Sequence, residues 1–242
     1  MRYIFLSPHL DDIALSCGGI VHHLATLDNP VEIWTFFSGS PKDLSLSNFA
    51  KSLHSRWDLP IDAPDIRRSE DIAACKILSA QARHFNFLDC IYRVDSNRNF
   101  IVEKEEDLYQ PIPSTQTYLV SEIREVIQNQ VKPEDRIISP MAIGDHLDHR
   151  ILLKAVQELK RENVLFYQDY PYVIKTQKQA IFFKNYSPIK FNLSPVDIKK
   201  WHQSIAEYRS QLSTFWKDSE WMKSEIVKFA SQGGGQSLWI SD

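Results

Sequence analysis

The sequence predicts a three-layer α/β/α protein of the Rossmann-like type, with a mostly parallel sheet and a small C-terminal β/helical extension. Short apolar runs suited to buried strands alternate along the chain with amphipathic stretches suited to helices. Strand ends are followed by imidazole and carboxylate side chains, at the edge where open parallel sheets bind their ligands. Because no repeat, low-complexity stretch or composition break interrupts the chain, we expect a single domain over residues 1–242.

The first strand–helix–strand unit is predicted from the N-terminal residues. Tyr3–Leu6 is a run of apolar and aromatic residues, and Ser7-Pro8 ends it because proline cannot donate to a strand ladder. Gly18-Gly19 predicts a tight turn before the apolar stretch Ile20–Leu27. Val31–Phe37 is then the second predicted strand.

The middle of the chain predicts further helices and strands in alternation. Residues 42–65 are irregular, and they fit either a functional flap or an ordinary surface excursion with one short helix. The polar stretch Tyr92–Pro113 predicts a loop. The remaining pattern predicts, in order, helix Arg67–Ser79, strand His84–Leu88, helix Thr117–Gln130, strand Arg136–Ser139 and helix Ile151–Leu159.

The last third of the chain predicts the C-terminal extension. Val164–Tyr167 is a predicted strand, with Asp169 and Tyr170 beyond its end. Gly233–Gly235 follows a predicted helix and indicates a turn rather than a phosphate cradle, because no Lys-Ser/Thr pair follows it. The other predicted elements are strands Ala180–Phe183 and Ile189–Leu193 and helices Pro195–Leu212 and Ser219–Ala230, with Trp201, Tyr208, Phe215, Trp216 and Trp221 in the core or lining a groove.

Composition argues against several classes of protein. The net charge of −3 gives no electrostatic support for nucleic-acid binding, which usually requires a basic surface. No apolar run reaches about eighteen residues, so no membrane span is expected, and the N-terminal apolar run is too short for a signal peptide. The three cysteines are widely spaced and odd in number, which favours a reduced, cytoplasmic protein.

Two clusters of acidic and imidazole side chains carry the functional prediction. The first is His9-Leu10-Asp11-Asp12, which admits either a helix cap or half of a metal site with His9 and Asp12 as ligands and Asp11 free as a base. The second is Asp145–His149, again between a strand end and a helix. Because parallel strands end at one edge of their sheet, the clusters can converge, and together they predict a metal site.

The donor types narrow the choice of metal. Two histidines and one carboxylate suit a catalytic zinc ion with an open fourth position for water. Non-haem Fe²⁺ uses the same trio of donors, so the ligands alone do not settle the metal. We expect one ion per chain, because the sequence offers ligands for only one.

These motifs resemble the PIG-L/LmbE-like family of zinc-dependent N-acetylglucosaminyl deacetylases. The family's His-Pro-Asp-Asp motif is represented by His9–Asp12, and its His-x-Asp-His motif by His146–His149. Similarity extends to Arg67-x-x-Glu70 and to Tyr167–Tyr172, so it reaches about residue 172. Leu10 replaces the usual proline without removing a ligand or a base, and Ile13 likewise replaces a frequent acidic residue, so both departures concern substrate preference more than chemistry.

The resemblance implies a role for each matching residue. His9, Asp12 and His149 would bind zinc, and Asp11 would be the general base. Zinc lowers the pKa of bound water from about 15.7 towards 7 and polarises the acyl oxygen, so a nearby carboxylate can take the water proton.

Three further residues receive implied roles. His146 would stabilise the oxyanion or protonate the leaving amine, Asp148 would orient His146, and Arg67 would contact the substrate. From the residues alone, Arg67 and Arg68 are either a solvated surface pair, or one of them faces an anionic or polyhydroxyl ligand or pairs with a carboxylate.

The predicted function is hydrolytic removal of an N-acetyl group from a small-molecule amino sugar or an N-acetylglucosaminyl conjugate. A metallophosphoesterase is one alternative, but it normally needs two metals about 3.5–4 Å apart. A non-catalytic sugar-binding module is another, although it would have no need of Asp11 and His146 beside an open metal. The sequence leaves the oligomeric state open, a homo-oligomer included.

Overall fold

Seven strands form one sheet in the order β3-β2-β1-β4-β5-β7-β6. The computed structural model describes residues 1–41, 45–60, 62–162, 164–176 and 183–242. The strands within them are β1 (Tyr3–Ser7), β2 (Val31–Thr35), β3 (Gln81–His84), β4 (Arg136–Pro140), β5 (Leu165–Tyr167), β6 (Tyr186–Lys190) and β7 (Ser237–Ser241).

The sheet is parallel through its first five strands. β1 pairs with both β2 and β4, β2 pairs with β3, and β4 pairs with β5, all in parallel. β7 is antiparallel to both β5 and β6, which adds the C-terminal β extension to the same sheet. The fold is therefore the predicted Rossmann-like α/β/α type, and its strand order changes direction beside β1 and β4, where such sheets bind ligands.

Helices connect and cover the strands. The α-helices of the described residues are α1 (Asp12–Thr26), α2 (Asn48–Arg56), α3 (Ala63–Ile77), α4 (Tyr118–Gln130), α5 (Leu147–Glu158), α6 (Tyr172–Lys175), α7 (Pro195–Ile205), α8 (Arg209–Phe215) and α9 (Ser219–Ser231). Short 3₁₀ turns occur at Cys90–Tyr92, Glu105–Tyr109 and Ser114–Gln116, and the second of them lies within the segment predicted as loop. Among the helices in the described part of the chain, none combines the length and apolar character needed to cross a membrane.

Alternating side chains of the strands pack into two apolar cores on opposite faces of the sheet. In β1, Phe5 packs into a cluster with residues of α1, whereas Ile4 and Leu6 pack into a cluster with residues of α4 and α5. This alternation follows from the two-residue period of a strand, which sends successive side chains to opposite faces. Both faces of the sheet are therefore covered, as expected for parallel strands.

The turn predicted at Gly18-Gly19 is a kink one residue earlier, within α1. Helical geometry breaks at Cys17, with φ −155° and ψ 28°, and both glycines lie in the helical segment that follows. A Cβ atom on Gly18 would lie 2.7 Å from the indole of Trp201, and one on Gly19 would lie 3.1 Å from it. The glycines therefore permit close packing of α7 on α1, a contact between segments far apart in sequence.

Other predicted boundaries shift. The predicted helix Pro195–Leu212 is divided into α7 and α8. The predicted strand His84–Leu88 is displaced, because β3 runs from Gln81 to His84 and the two share only His84. The predicted strand Ala180–Phe183 lies outside the described residues, except for Phe183. Trp221 is 46% exposed, so its predicted place in a core or groove wall is wrong, whereas Trp201 is fully buried.

Candidate metal centre

The two clusters converge where β1 and β4 end side by side. The ring centroid of His9 lies 4.9 Å from that of His146 and 5.4 Å from that of His149. The rings of His146 and His149 are 5.2 Å apart. The expected juxtaposition of the strand ends is therefore present in the structure.

The first cluster sits in a tight junction between β1 and α1. The hydroxyl of Ser7 donates to the carbonyl oxygen of His9 over 2.6 Å, and the His9 backbone N–H donates to Oδ2 of Asp12 over 2.7 Å. Asp11 has φ +145°, a conformation that costs a non-glycine residue free energy. These two hydrogen bonds stabilise the strained backbone at the junction where Asp11 precedes Asp12, the first residue of α1.

The second cluster begins α5. Nδ1 of His146, the N-cap residue, accepts the backbone N–H of Asp148 over 3.3 Å. The preceding loop turns sharply, with φ +93° at Gly144, where a Cβ atom would lie 2.6 Å from Tyr172. A glycine is therefore required to bring His146 and Tyr172 together.

The three predicted ligands face one another. Oδ2 of Asp12 lies 3.4 Å from Nδ1 of His9 and 3.4 Å from Nε2 of His149. Nδ1 of His149 is 2.7 Å from Oδ1 of Asp169, whose other oxygen accepts the backbone N–H of Ile143. In a neutral His149 ring this partner places the proton on Nδ1, so Nε2 carries the lone pair.

The lone pair of His149 has no hydrogen bond within the described residues. Its Nε2 atom is buried and is directed to the neighbourhood of the Asp12 carboxylate. A lone pair and a carboxylate oxygen repel each other unless a cation or a proton lies between them. The donor set of His9, Asp12 and His149 therefore fits a metal ion.

The surrounding side chains extend this donor-rich region. Ligand atoms of His9, His146 and His149 all lie within 4.8 Å of one another, so the cluster can bind a metal. The same spacing holds for two overlapping groups, Cys90–His146–Asp148 and His9–Asp89–Asp148. Asp89 follows β3 in the chain and is not among the predicted site residues. Its position directly after the predicted strand His84–Leu88 is the sequence feature that indicates it.

The Asp11 carboxyl group lies beside the ligands without joining them. Burial raises its pKa to about 7, with Arg67 opposing the shift and Asp12 adding to it. Nη2 of Arg67 lies 3.7 Å from Oδ2 of Asp11 and donates to the carbonyl oxygen of Leu10 over 3.1 Å. The raised pKa and the place beside the ligands make Asp11 a candidate general base.

Charge is distributed unevenly among the neighbouring groups. Burial opposes ionisation of Asp12, but His149 and His9 hold its pKa well below the ordinary value. Burial, together with the positive potential of His9 and His149, lowers the pKa of His146 well below its ordinary value. The centre thus combines an anionic Asp12 with a neutral His146.

The Asp148 side chain makes different contacts from those implied by the resemblance. Its fully buried carboxylate binds the guanidinium of Arg93, the backbone N–H of Cys90 at 3.0 Å and Nε2 of His9 at 3.1 Å. Its contact with His146 runs through the backbone N–H instead. No sequence pattern marks Arg93, which lies in the segment Tyr92–Pro113 predicted only as loop.

A cavity of about 300 Å³ opens over the centre. Residues 42–65, which admitted either a flap or a plain surface excursion, contribute α2 and Trp57 to its wall. Arg67 also lines it, with its guanidinium 4.9 Å from the Trp57 ring, and is 8% exposed rather than solvated. The other wall residues include Phe49, Leu53, Leu108, Tyr109, Tyr172 and Phe215.

The fold and the centre define a Rossmann-like α/β/α protein whose candidate metal site lies at the carboxyl edge of the sheet. Residues 4–160 match the PIG-L family, described as GlcNAc-PI de-N-acetylase. The chain belongs to the PIG-L family.

Two relatives with known names support this membership. The chain is 28% identical over 242 residues to the 2'-N-acetylparomamine deacetylase of Niallia circulans, an alignment covering 87% of this chain and 80% of that protein. It is 27% identical over 183 residues to the 2'-N-acetylparomamine deacetylase of Streptomyces fradiae, covering 71% and 57% of the two chains.

Solved structures share the whole fold. The zinc-inhibited form of teicoplanin deacetylase has a TM-score of 0.82 and 25% identity, covering 99% of this chain and 97% of that one. The A40926 pseudoaglycone deacetylase has a TM-score of 0.75 and 29% identity, covering 99% and 96%. The similarity includes the C-terminal region beyond residue 160.

Proposed function

We propose that this protein is a zinc-dependent hydrolase that removes the N-acetyl group from an amino sugar or an N-acetylglucosaminyl conjugate. One observation carries the metal-dependent part: the buried Nε2 of His149, without a hydrogen bond among the described residues, beside the Asp12 carboxylate. Membership of the PIG-L family and relatives named as deacetylases support the reaction class.

His9, Asp12 and His149 would hold the ion through one oxygen and two ring nitrogens. When bound, zinc supplies Lewis-acid polarisation of the acyl oxygen and a lowered pKa for water. The same donors suit Fe²⁺, so the identity of the metal is part of the test.

Asp11 is the proposed general base. Its carboxylate is buried, lies next to a ligand in sequence and carries a pKa raised to about 7, first by burial. A carboxylate with this pKa accepts a proton from the attacking water more readily than an exposed one, and it can release that proton at neutral pH.

His146 is proposed to stabilise the negative charge that develops on the acyl oxygen. Its Nδ1 atom accepts a backbone N–H, so a neutral ring carries its proton on Nε2. That N–H can donate a hydrogen bond to the tetrahedral oxyanion. The proton that Asp11 takes from the attacking water is then available for the departing amine. Asp148 is also part of the proposed catalytic set, because its own backbone N–H donates to Nδ1 of His146 and so orients the ring.

The cavity supports a small-molecule sugar substrate. Arg67 presents a guanidinium in the wall beside Asp11, and we assign it contact with sugar hydroxyl or carbonyl oxygens. The free, buried thiols of Cys17, Cys75 and Cys90 support the proposal of a cytoplasmic location, where thiols stay reduced. The shared sheet of β1–β7 supports a single domain over residues 1–242.

The test is release of primary amine from N-acetylglucosamine and a panel of its conjugates, including 2'-N-acetylparomamine. Chelator-stripped protein is reloaded with zinc or Fe²⁺ at up to one equivalent, because a similar deacetylase has a zinc-inhibited form. We expect release that disappears on stripping and returns on reloading, with one metal per chain. Metal-replete protein that releases no amine from the panel would contradict the proposal, and two metals per chain would favour a phosphoesterase.

A further inference from the structure

We propose that Arg93 is a positioning residue that orients His9 towards the metal by way of the Asp148 carboxylate. This inference rests on the proposed function, because it takes His9 to be a metal ligand. The resemblance connects Asp148 with His146, and it assigns no role to Arg93. The contacts of the two side chains point to His9 as their target.

The two carboxylate oxygens of Asp148 have different partners. Its Oδ1 atom pairs with Nη2 of Arg93, while Oδ2 accepts the backbone N–H of Cys90 at 3.0 Å. The same Oδ2 atom lies 3.1 Å from Nε2 of His9. With its side chain fully buried, Asp148 has no solvent to compensate for a change in these partners.

The orientation of His9 follows from this contact. A hydrogen bond from Nε2–H to Asp148 places the proton of a neutral ring on that nitrogen and leaves Nδ1 as the lone pair. Nδ1 is the atom that lies 3.4 Å from Oδ2 of Asp12. The contact to Asp148 therefore selects both the tautomer and the ring direction that a metal ligand needs.

Arg93 has few other contacts that would explain its burial. Only 5% of the residue is exposed, and its Nε and Nη1 atoms make no hydrogen bond within the described residues. Its guanidinium carbon lies 5.1 Å from the centre of the Phe37 ring, which supports the cation from one face. A buried guanidinium is costly unless it is paired, so the Asp148 carboxylate is the partner that keeps Arg93 in place.

The arrangement repeats at the other histidine ligand. His149 presents Nε2 towards Asp12 while Asp169 holds its Nδ1 atom at 2.7 Å. His9 presents the opposite nitrogen towards Asp12 while Asp148 holds its Nε2 atom. Each histidine ligand thus has a buried carboxylate on its far side, and Arg93 fixes one of these carboxylates.

The proposal is tested by measuring zinc affinity in competition with a chromophoric chelator. We expect Arg93→Met and Asp148→Asn each to weaken zinc binding about 10- to 100-fold, the usual effect of losing a partner of a metal-binding histidine. Arg93→Lys should recover part of the affinity, because it restores a cation beside Asp148. The double variant should bind zinc about as weakly as Asp148→Asn alone, because both side chains act along one route.

Arg83→Met is the matched control, because Arg83 also stacks on aromatic rings, at 4.7 Å from Trp34, but outside the centre. Urea denaturation curves of the chelator-treated variants identify any that do not fold. If Arg93→Met does not fold, the zinc affinity of Arg93→Lys is compared with that of wild type instead. Unchanged zinc affinity in Arg93→Met would overturn the inference. So would a double variant in which Arg93→Met lowers zinc affinity by the same factor as it does in the wild-type protein. Wild-type protein that binds no metal would instead overturn the proposed function itself, and the inference with it.

Discussion

Asp169 lies 2.7 Å from Nδ1 of His149 and fixes that ring from the side opposite Asp12. The second oxygen of Asp169 accepts the backbone N–H of Ile143 at 2.9 Å, so the carboxylate is itself held in place. Asp169 follows β5, whereas His149 lies in α5 after β4. Three neighbouring strands, β1, β4 and β5, therefore contribute to one centre through side chains beyond their carboxyl ends.

This relationship predicts that Asp169→Asn weakens metal binding about 10- to 100-fold, because an amide is a poorer acceptor for the Nδ1 proton. Zinc affinity is measured by competition with a chelator. Asp145→Asn is the control, since Asp145 lies in the loop before α5 that Asp169 contacts through Ile143, but its side chain is 60% exposed. Equal affinity in the Asp169 variant and wild type would show that His149 does not need this partner.

Asp11→Asn is expected to lower kcat about 10²- to 10⁴-fold, the usual effect of removing a general base. The metal content should stay at the wild-type value, because Asp11 is not among the three proposed ligands. Measurement of kcat and of metal per chain on the same samples separates the two roles. Loss of metal together with activity would instead identify Asp11 as a ligand.

The site could be predicted because its determinants are local. His9 and Asp12 follow a short apolar strand, and His146 and His149 follow another, so turn chemistry and the rule for strand ends bring them together. Parallel sheets place all such ends on one edge. The apolar periods that revealed β1, β4 and the covering helices are equally local signals.

The partners of these residues could not be predicted in the same way. Arg93 and Asp148 are 55 positions apart, and His9 and Asp148 are 139 positions apart. No periodicity connects such pairs. The Arg93 contact depends on how the loop after β3 folds over the sheet, and the rule for strand ends brings His9 and Asp148 to one edge without specifying which side chains pair. The motif alone therefore led to His146 as the partner of Asp148, whereas the carboxylate is occupied elsewhere.

The glycines of α1 illustrate the same limit. Glycine is a frequent turn residue, so Gly18-Gly19 indicated a turn when only the neighbouring sequence was considered. The reason for the pair lies in Trp201, whose indole N–H donates to the carbonyl oxygen of Ala14 over 2.5 Å. The close helix–helix contact explains the two glycines, and the break in helical geometry falls one residue before them, at Cys17.

This contact predicts that Gly18→Ala destabilises the protein by about 1–3 kcal/mol, the cost of overpacking a rigid site. Alanine normally stabilises a helix interior by about 0.5–1 kcal/mol relative to glycine, but the new Cβ atom would lie 2.7 Å from the buried Trp201 ring. Urea denaturation gives the free energy of unfolding. In a Trp201→Leu background the penalty should vanish or change sign, and an unchanged penalty would contradict the steric explanation.

A second link between α1 and α7 predicts a dependence of stability on pH. Asp197 lies 2.6 Å from Nδ1 of His22 and accepts the backbone N–H and the hydroxyl of Ser194, each at 2.7 Å. Burial opposes ionisation of Asp197, but the hydrogen bonds of His22 and Ser194 hold its pKa below the model-peptide value of 3.8. The ionised form is therefore bound more strongly in the folded protein than in the unfolded chain.

The sign of the effect follows from linkage. A carboxyl group whose pKa is lowered on folding contributes stability above its unfolded pKa, and this contribution is lost as the pH falls through the folded pKa. We expect Asp197→Asn to reduce the free energy of unfolding by about 1.5–3 kcal/mol at pH 7, the range for hydrogen bonds to a charged group. The difference from wild type should shrink below about pH 4.

The measurement is urea denaturation of chelator-treated protein between pH 3 and pH 7, so that loss of metal in acid does not contribute. Asp62→Asn is the matched control, because Asp62 is an exposed N-cap residue of α3 whose side chain makes no capping bond. Its effect should be small at every pH. A difference between Asp197→Asn and wild type that stays constant down to pH 3 would show that the charge of Asp197 is not what joins α7 to α1.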